Sequence, residues 1–392
     1  MIRTITTVVF ICMLVLSSFA QKGFTLNGII VDQNNKGLPY VAVSIPAKNK
    51  GTSSNADGNF SLKVLDSDFK AIIEISSLGF KTKKITVEAF LKKKTKSIVL
   101  FESVAILDEI SLLLPLDYIK LAKKHLKNNM LSSRHQLAIL SRRFSIEHQK
   151  PRFFVEQYVK VLDKGPVSSN FLKIGVVESR KSADYRFLKL KQGKHSLAYM
   201  TDNNPLRSAD FDKKYTWERV GTTTYDGEDV IILKGTSKKS AERVRFYIGM
   251  DTYGIFKIDM SALNAVYIYK KNSEGKLYLS YHNREYKTKK TINKIQKTIL
   301  KIQTDTIDLA YRHEAIVLDV ETDKNNSKFK SFGGYNIDMG DINLPYHPEF
   351  WDTLQTPPQS SFFKRSKREL EQLYGVSLGI QFELSNTKQK KD

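Results

Sequence analysis

Hydrolytic chemistry would begin at histidines and carboxylates, and this chain brings few of them close together in sequence. His282-Asn283-Arg284-Glu285 forms an H-x-x-E, a spacing by which a helix could present an imidazole and a carboxylate to one metal ion. The flanking Tyr278-Leu279-Ser280-Tyr281 and Tyr286-Lys287 read as strand, where an offset of three sends the two side chains to opposite faces. His313 and Glu314 are adjacent and meet the same obstacle. Glu228 with Asp229, and Asp338 with Asp341, are paired carboxylates, but without known spatial proximity they support no glycosidase chemistry. Each pair lies in a turn-like stretch and is expected to be solvated. There is no G-x-S-x-G elbow, no Walker A motif and no G-x-G-x-x-G ahead of a helix. No catalytic, cofactor-binding or metal-binding residue is assigned, no cofactor is expected, and the chain reads as a non-enzyme. A hydrolase with an unrecognised site is the most distant alternative.

The 392 residues are 41% hydrophobic and 27% charged, enough for two or three domains and too apolar for a disordered chain. Near the N-terminus, Arg3 precedes the apolar run Val8–Leu16, and Ser18 and Ala20 supply small side chains ahead of Gln21. This is the pattern of a signal peptide over residues 1–20, and the run is too short to span a bilayer. Cleavage there would remove Cys12, the chain's one cysteine, and with it cysteine nucleophiles and disulfides. Lipidation would need the cysteine at the cleavage point. The expectation is an exported protein, in the periplasm or associated with the outer membrane, with no transmembrane span in the mature chain. Lys and Arg total 63 against 41 Asp and Glu, a formal net charge of +22. The cations are spread along the chain, and export separates them from nucleic acid, so none is expected as a partner. The expected partner is an envelope component, whether protein, lipid or glycan, and the charge favours an anionic one.

Architecture follows from alternation and turns. Phe24–Val31, Tyr40–Ile45, Phe60–Val64, Ala71–Ser76, Lys84–Val87 and Ser97–Leu100 read as short strands separated by Gly, Asn and Asp. They predict a seven-stranded β-sandwich over residues 21–102, with Phe60 and Phe80 in its core and Lys92–Lys96 in a solvated turn. Residues 103–116 read as a linker. A helix is predicted over about Leu116–Met130, capped by Asp117, with Lys120, Lys123, Lys124 and Lys127 on its outer face. Residues 117–386 otherwise predict a β-rich domain, a larger curved antiparallel sheet with one or two packed helices. Its strands include Phe153–Leu162, Tyr215–Val220, Val230–Lys234, Val244–Ile248, Leu277–Lys287 and Ala315–Val320. Arg245–Met260 reads as a hairpin turning through Asp251 and Gly254. The aromatic and proline-rich stretch Asp341–Asp352 is expected to strap across an open end of that sheet. Lys364–Tyr374 reads as a helix ended by Gly375, Val376–Leu384 as a last strand, and residues 387–392 as a mobile tail. The fold class is mainly β.

Within the first domain, Gly28, Ile30 and Asp32, then Gly37 and Pro39, then Gly51, Thr52, Ser54, Gly58 and Phe60, then Ser76, Gly79 and Phe80 follow one another in a recognisable order. This set resembles the carboxypeptidase-regulatory-like domain, a transthyretin-like sandwich found at the N-termini of exported Bacteroidetes proteins. Asn55 stands where that family usually has an acid. The resemblance implies an adhesion or docking module and carries no peptidase chemistry. The remainder, with Tyr225–Leu233 and the hairpin of Tyr247, Ile248, Asp251, Tyr253 and Ile255, is similar to uncharacterised exported Bacteroidetes proteins and, by fold analogy, to the half-barrel of periplasmic lipoprotein carriers. Two functions follow as expectations: a non-enzymatic binding or envelope-structural module, and a carrier sheltering a lipid or other apolar ligand against the curved sheet.

Overall fold

A computed structural model of the chain describes residues 23–48, 50–103, 113–189, 192–272, 274–323, 329, 332–373 and 375–386. The leader and the C-terminal tail inferred from sequence lie outside the described residues, as does most of the linker. The first seven strands are β1 Gly23–Val31, β2 Ala42–Ile45, β3 Lys50–Ser53, β4 Asn59–Leu65, β5 Ile72–Ser76, β6 Lys83–Thr86 and β7 Ser97–Val99. They form two small sheets, ordered β4-β1-β7 and β3-β2-β5-β6. Alternation decides which side chains face inward. Phe60, Leu62 and Val64 of β4 are buried with Leu26 and Ile30 of β1, against Val43 and Ile45 of β2 and Ile73 and Ile75 of β5. β3 completes the seven strands. The lysine run is more structured than expected: Lys92 ends helix α1 (Val87–Lys92) and pairs with Glu88 at 2.6 Å. Lys96 Nζ donates to the carbonyls of Leu91 and Lys93, which a helix C-terminus leaves without intrahelical partners.

Helix α2, Pro115–Asn129, follows the linker. Pro115 occupies its first position, where a missing N–H is harmless. Asp117 therefore lies inside the first turn and does not cap the helix. Eleven strands then build one sheet: β8 His135–Glu147, β9 Lys150–Asp163, β10 Lys173–Lys181, β11 Tyr215–Tyr225, β12 Glu228–Ser237, β13 Arg243–Gly249, β14 Ile255–Met260, β15 Ala265–Lys271, β16 Leu277–Thr291, β17 Thr306–Glu321 and β18 Phe332–Gly333. Their order is β11-β12-β13-β14-β15-β16-β17-β8-β9-β10-β18 and every pairing is antiparallel. The chain meanders from β11 to β17, and β17 then returns to the first long strand, β8. Bulges interrupt several pairings, among them β17 with β8 at Val317–Asp319, and each bends its strand and increases its twist.

Both faces of this sheet are covered. On the inner face, Ile139, Val159, Val176, Leu233, Phe246 and Ile258 pack under Ile119 and Ala122 of α2 and under Leu197, Ala198 and Met200 of α3 (Ser196–Asp202). The hairpin β16–β17 carries a short helix at its tip, α4 (Lys294–Leu300). The outer face takes the sandwich, α5 (Pro348–Thr353), α6 (Ser361–Gln372) and α7 (Leu378–Asn386). The strap expected over Asp341–Asp352 does cover the sheet, but by passing between its faces: Ile342 is buried in the inner core and Trp351 in the outer one. Val376–Leu384, expected as a strand, is mostly helix. Leu378 and Phe382, four residues apart, share one helical face and pack with Phe144 and Phe154. Gly375 takes the positive φ of +67° expected where α6 ends. No helix among the described residues is long and apolar enough to cross a membrane.

Candidate functional site

The consecutive strands β16 and β17, joined by the distant β8, place a row of nitrogen bases across the inner face. Arg143 on β8 lies directly opposite His313 on β17, and His313 directly opposite Arg284 on β16. Directly paired residues point to the same side of a sheet and touch, so the three form one file, exposed by 0%, 1% and 5%. The neighbouring file runs Gln157, Ser141, Ala315, His282 and Tyr267. Ser141 Oγ meets His313 Nε2 at 3.0 Å. His282 Nδ1 lies 3.0 Å from the Val266 carbonyl, which assigns the proton to Nδ1 and the lone pair to Nε2. His195, at the start of α3, accepts from Leu197 N–H through Nδ1 and donates through Nε2 to Gln157 Oε1 at 2.8 Å.

One carboxylate serves this row. Asp338 accepts from Arg143 Nη2 at 2.5 Å and from the backbone N–H groups of Gln192 and Gly340. Burial works to raise its pKa, but the charge of Arg143 and these hydrogen bonds outweigh that and hold it below the usual carboxylate range. Arg284 has no carboxylate within ion-pair distance among the described residues. Its guanidinium lies 4.6 Å from the Tyr199 ring centroid and reaches Gln192 Oε1 only at 3.5 Å. Arg284 Nε, Arg143 Nε and Nη1, His313 Nδ1 and His282 Nε2 are all buried without a hydrogen-bond partner. Burial brings the Arg284 pKa down to about 10. Burial, with the charges of Arg143 and Arg284 respectively, brings His195 and His282 to about 3. His313 moves well below its usual value through burial and the neighbouring His282, Arg284, His195 and Arg143.

The outer face makes the contrast plain. There Glu156, fully buried, accepts from Arg142 and from Arg180, and Arg142 also approaches Glu314 at 3.6 Å. Two guanidiniums meet two carboxylates, with Phe363 and Trp351 packed over the cations. That network is complete, and the inner row is one anion short of it.

A cleft of about 540 Å³ opens beside the row, lined by Phe153, Lys181, Asp184, Arg186, Gly340 and Asn343 among others. Lys181 Nζ donates to the Gly340 carbonyl and to Asn343 Oδ1, and burial lowers its pKa. Arg186 grips Asp184 through two hydrogen bonds and stacks on Phe153. Phe153 and Gly340 form the partition between cleft and row. A Cβ on Gly340 would fall 2.7 Å from the Phe153 ring and 3.1 Å from Arg143 Nη2.

The residues singled out by sequence fall as follows. His282 is buried on the inner face, whereas Glu285 faces outward beside Lys287, so the H-x-x-E is split as its strand setting requires. His313 and Glu314 are split likewise, with Glu314 accepting from Tyr281 on the outer face. Among the described residues no three metal-ligating side chains gather around one point. Two expectations of solvation are corrected. Glu228 is buried, because it accepts from the backbone N–H and hydroxyl of Thr252 and clamps the β13–β14 turn. Asp338 is buried as the counter-ion of Arg143. Asp229 and Asp341 are exposed. The row itself escaped sequence reading, since Arg143 and His313 are brought together only by strand register.

Residues 26–112 match the family model of the CarboxypepD_reg-like domain, in agreement with the glycine and aromatic pattern of the sandwich. No curated protein matches the chain. Among solved structures it is similar to a DUF1329 family protein from Desulfovibrio piger, at 10% identity and a TM-score of 0.26, over 54% of this chain and 95% of that one. It is also similar to a LolA superfamily protein from Nitrosomonas europaea, at 11% identity and a TM-score of 0.22, over 56% and 98% of the two chains.

Proposed function

We propose that this chain is an exported, non-enzymatic binding protein that holds an anionic group of an envelope ligand at the polar end of the sheet's inner face. The observation that carries this reading is the pair of buried arginines, Arg143 and Arg284, flanking His313 with one carboxylate for the two among the described residues, Asp338, which bonds Arg143. A buried charge without a partner costs several kcal/mol, and a carboxylate or phosphate seated against Arg284 and the free edge of Arg143 offsets that cost. The adjoining cleft lies one layer from Arg143, across Phe153 and Gly340. The apolar part of the inner face is occupied by side chains of α2 and α3, which favours the polar end over an acyl-chain cavity. The non-enzymatic reading is supported by the imidazoles: with pKa values near 3, His195 and His282 are poorly matched to proton transfer at neutral pH.

The test is native mass spectrometry of the mature protein purified from its own envelope, alongside melting curves in acetate and in inorganic phosphate. The expected result is a bound mass, or a melting temperature raised by one of the anions, that Arg284→Met abolishes and Arg284→Lys partly keeps. A clean apo mass together with anion-independent melting would overturn the site. Turnover of peptides or glycans abolished by a point mutation would overturn the non-enzymatic reading, and an uncleaved chain confined to the cytosol would overturn export.

A further inference from the structure

The tip of the β16–β17 hairpin carries an exposed apolar pair among cations. β8 pairs with β17 only as far as Leu309, whereas β16 continues alongside β17 to Thr291 and Thr306. The hairpin therefore projects past its neighbour and ends in α4. Leu300 and Ile302 fold back onto Ile292, Ile307 and Leu309 and fix the helix to its strands. Asn293 closes a capping box with Gln296. What this fixed helix turns outward is apolar: Ile295 is 72% exposed and Ile299 61%, and at a spacing of four they lie side by side.

Around them the sequence places six lysines against three carboxylates over residues 285–309, and Lys287 pairs with Glu285. Lys297 pairs with Asp305 and Lys289 lies 3.7 Å from Asp308. Lys290, Lys294 and Lys301 are exposed and make no ion pair among the described residues. We infer that α4 docks on the surface of an anionic membrane, with Ile295 and Ile299 entering the headgroup–acyl boundary and the lysines resting among the phosphates. Charge complementarity supports this occupant: apolar side chains ringed by cations on long stems match an interface that is greasy within and negative without. An acidic glycan would engage the lysines and leave the isoleucines unused. This inference is independent of the cleft.

The experiment is co-sedimentation of the full mature chain with vesicles of phosphatidylcholine alone and of phosphatidylcholine with phosphatidylglycerol. Binding is expected only to the anionic vesicles and should weaken as salt is raised. Each lysine near such a surface contributes about fivefold in partitioning, so Lys294→Glu with Lys301→Glu should reduce binding at least tenfold. Ile295→Ser with Ile299→Ser should also release the protein, with unchanged melting because both side chains are already in solvent. Equal binding to neutral vesicles, or unchanged binding by both double variants, would overturn the inference. So would a dimer in solution that the isoleucine variant dissolves without any vesicle binding, which would make α4 a contact between copies of the chain.

Discussion

At the scale of single residues the inner row sets two opposing demands, folding and binding, on the same side chain. Arg284 is buried and has no carboxylate within ion-pair distance among the described residues, so replacing it with an apolar residue of similar length should help folding while it harms binding. In anion-free buffer Arg284→Met is expected to raise the free energy of unfolding by about 1–4 kcal/mol, measured by urea denaturation. A loss of stability there would mean that the arginine already has its counter-charge. The imidazoles of His195, His282 and His313 make a separate prediction. Their folded pKa values lie below the ordinary 6.5, with burial the main cause for each. Below about pH 6.5 the unfolded chain takes up protons that the folded chain refuses, so stability is full above that pH and falls as pH drops toward the folded values. At about 1.4 kcal/mol per proton per pH unit, His195 and His282 give a slope of about 3 kcal/mol per unit between pH 6 and 4, and His313 and the buried His135, whose pKa values burial also lowers, add to it. The denaturation midpoint should therefore fall steeply between pH 7 and 5, and a flat profile would contradict neutral burial. Asn55 is a third case. Its Oδ1 accepts from the N–H groups of Asp57 and Asn59, and its Nδ2 donates to the Pro358 carbonyl at 3.0 Å. The acid usual at this position would keep the first two bonds and set an oxygen against an oxygen in the third. Asn55→Asp should cost about 1–3 kcal/mol at pH 7, read by melting.

The elements are held by backbone geometry that particular residues permit. Gly58 turns the chain into β4 with φ at +87°, and a Cβ there would sit 2.4 Å from the Ile30 carbonyl oxygen. Gly58→Ala combines a disfavoured φ with a backbone clash and should lower stability by more than about 1 kcal/mol, the ordinary cost of strain at one such residue. Loss of the β1–β4 hydrogen bonds would be visible as faster amide exchange at Gly28 and at Ile30, whose N–H donates to the Gly58 carbonyl. Turns of this kind were legible, because Asp57-Gly58 and Asp251 through Gly254 announce them locally, and so were strands whose alternation is clean, such as Phe60–Val64. Val376–Leu384 was not. Its alternation mimics a strand, and only the aromatic cluster of Phe144, Phe154 and Phe363 on the outer face shows why Leu378 and Phe382 are wanted on one side of a helix. The site was illegible for a related reason. His282 and His313 could be placed on strands and separated from Glu285 and Glu314 by parity alone, but Arg143 becomes their neighbour through the return of β17 to β8, a pairing between segments 170 residues apart that no local pattern encodes.

Over the whole molecule, the sandwich and the large sheet meet across a seam made of specific contacts. Tyr40 stacks on Tyr281 with ring centroids 3.9 Å apart, Lys270 Nζ donates to Ser53 Oγ at 2.5 Å, and Gly79 N–H donates to the Thr224 carbonyl at 2.8 Å. Asn55 and Asp57 reach the segment leading into α6. Tyr40 holds a φ of +59°, a conformation that costs a bulky side chain of order 1–3 kcal/mol, and the stack on Tyr281 and the bond from its N–H to the Ser54 carbonyl both hold the residue in place. Each unit also has its own apolar core, so coupling between them rests on this seam. The mature chain should unfold by calorimetry in one transition. Tyr281→Ala removes the stacking partner of Tyr40, and a stacked pair contributes about 0.5–1.5 kcal/mol beyond the area it buries. In that variant the transition should broaden or split, with the sandwich melting first because a domain of its size buries a smaller fraction of its surface. Tyr40→Gly should split it less, since the glycine relieves the backbone strain as it gives up the stack. A single sharp transition in both variants would show that the backbone bond at Gly79 and the contacts to α6 suffice to hold the sandwich in place.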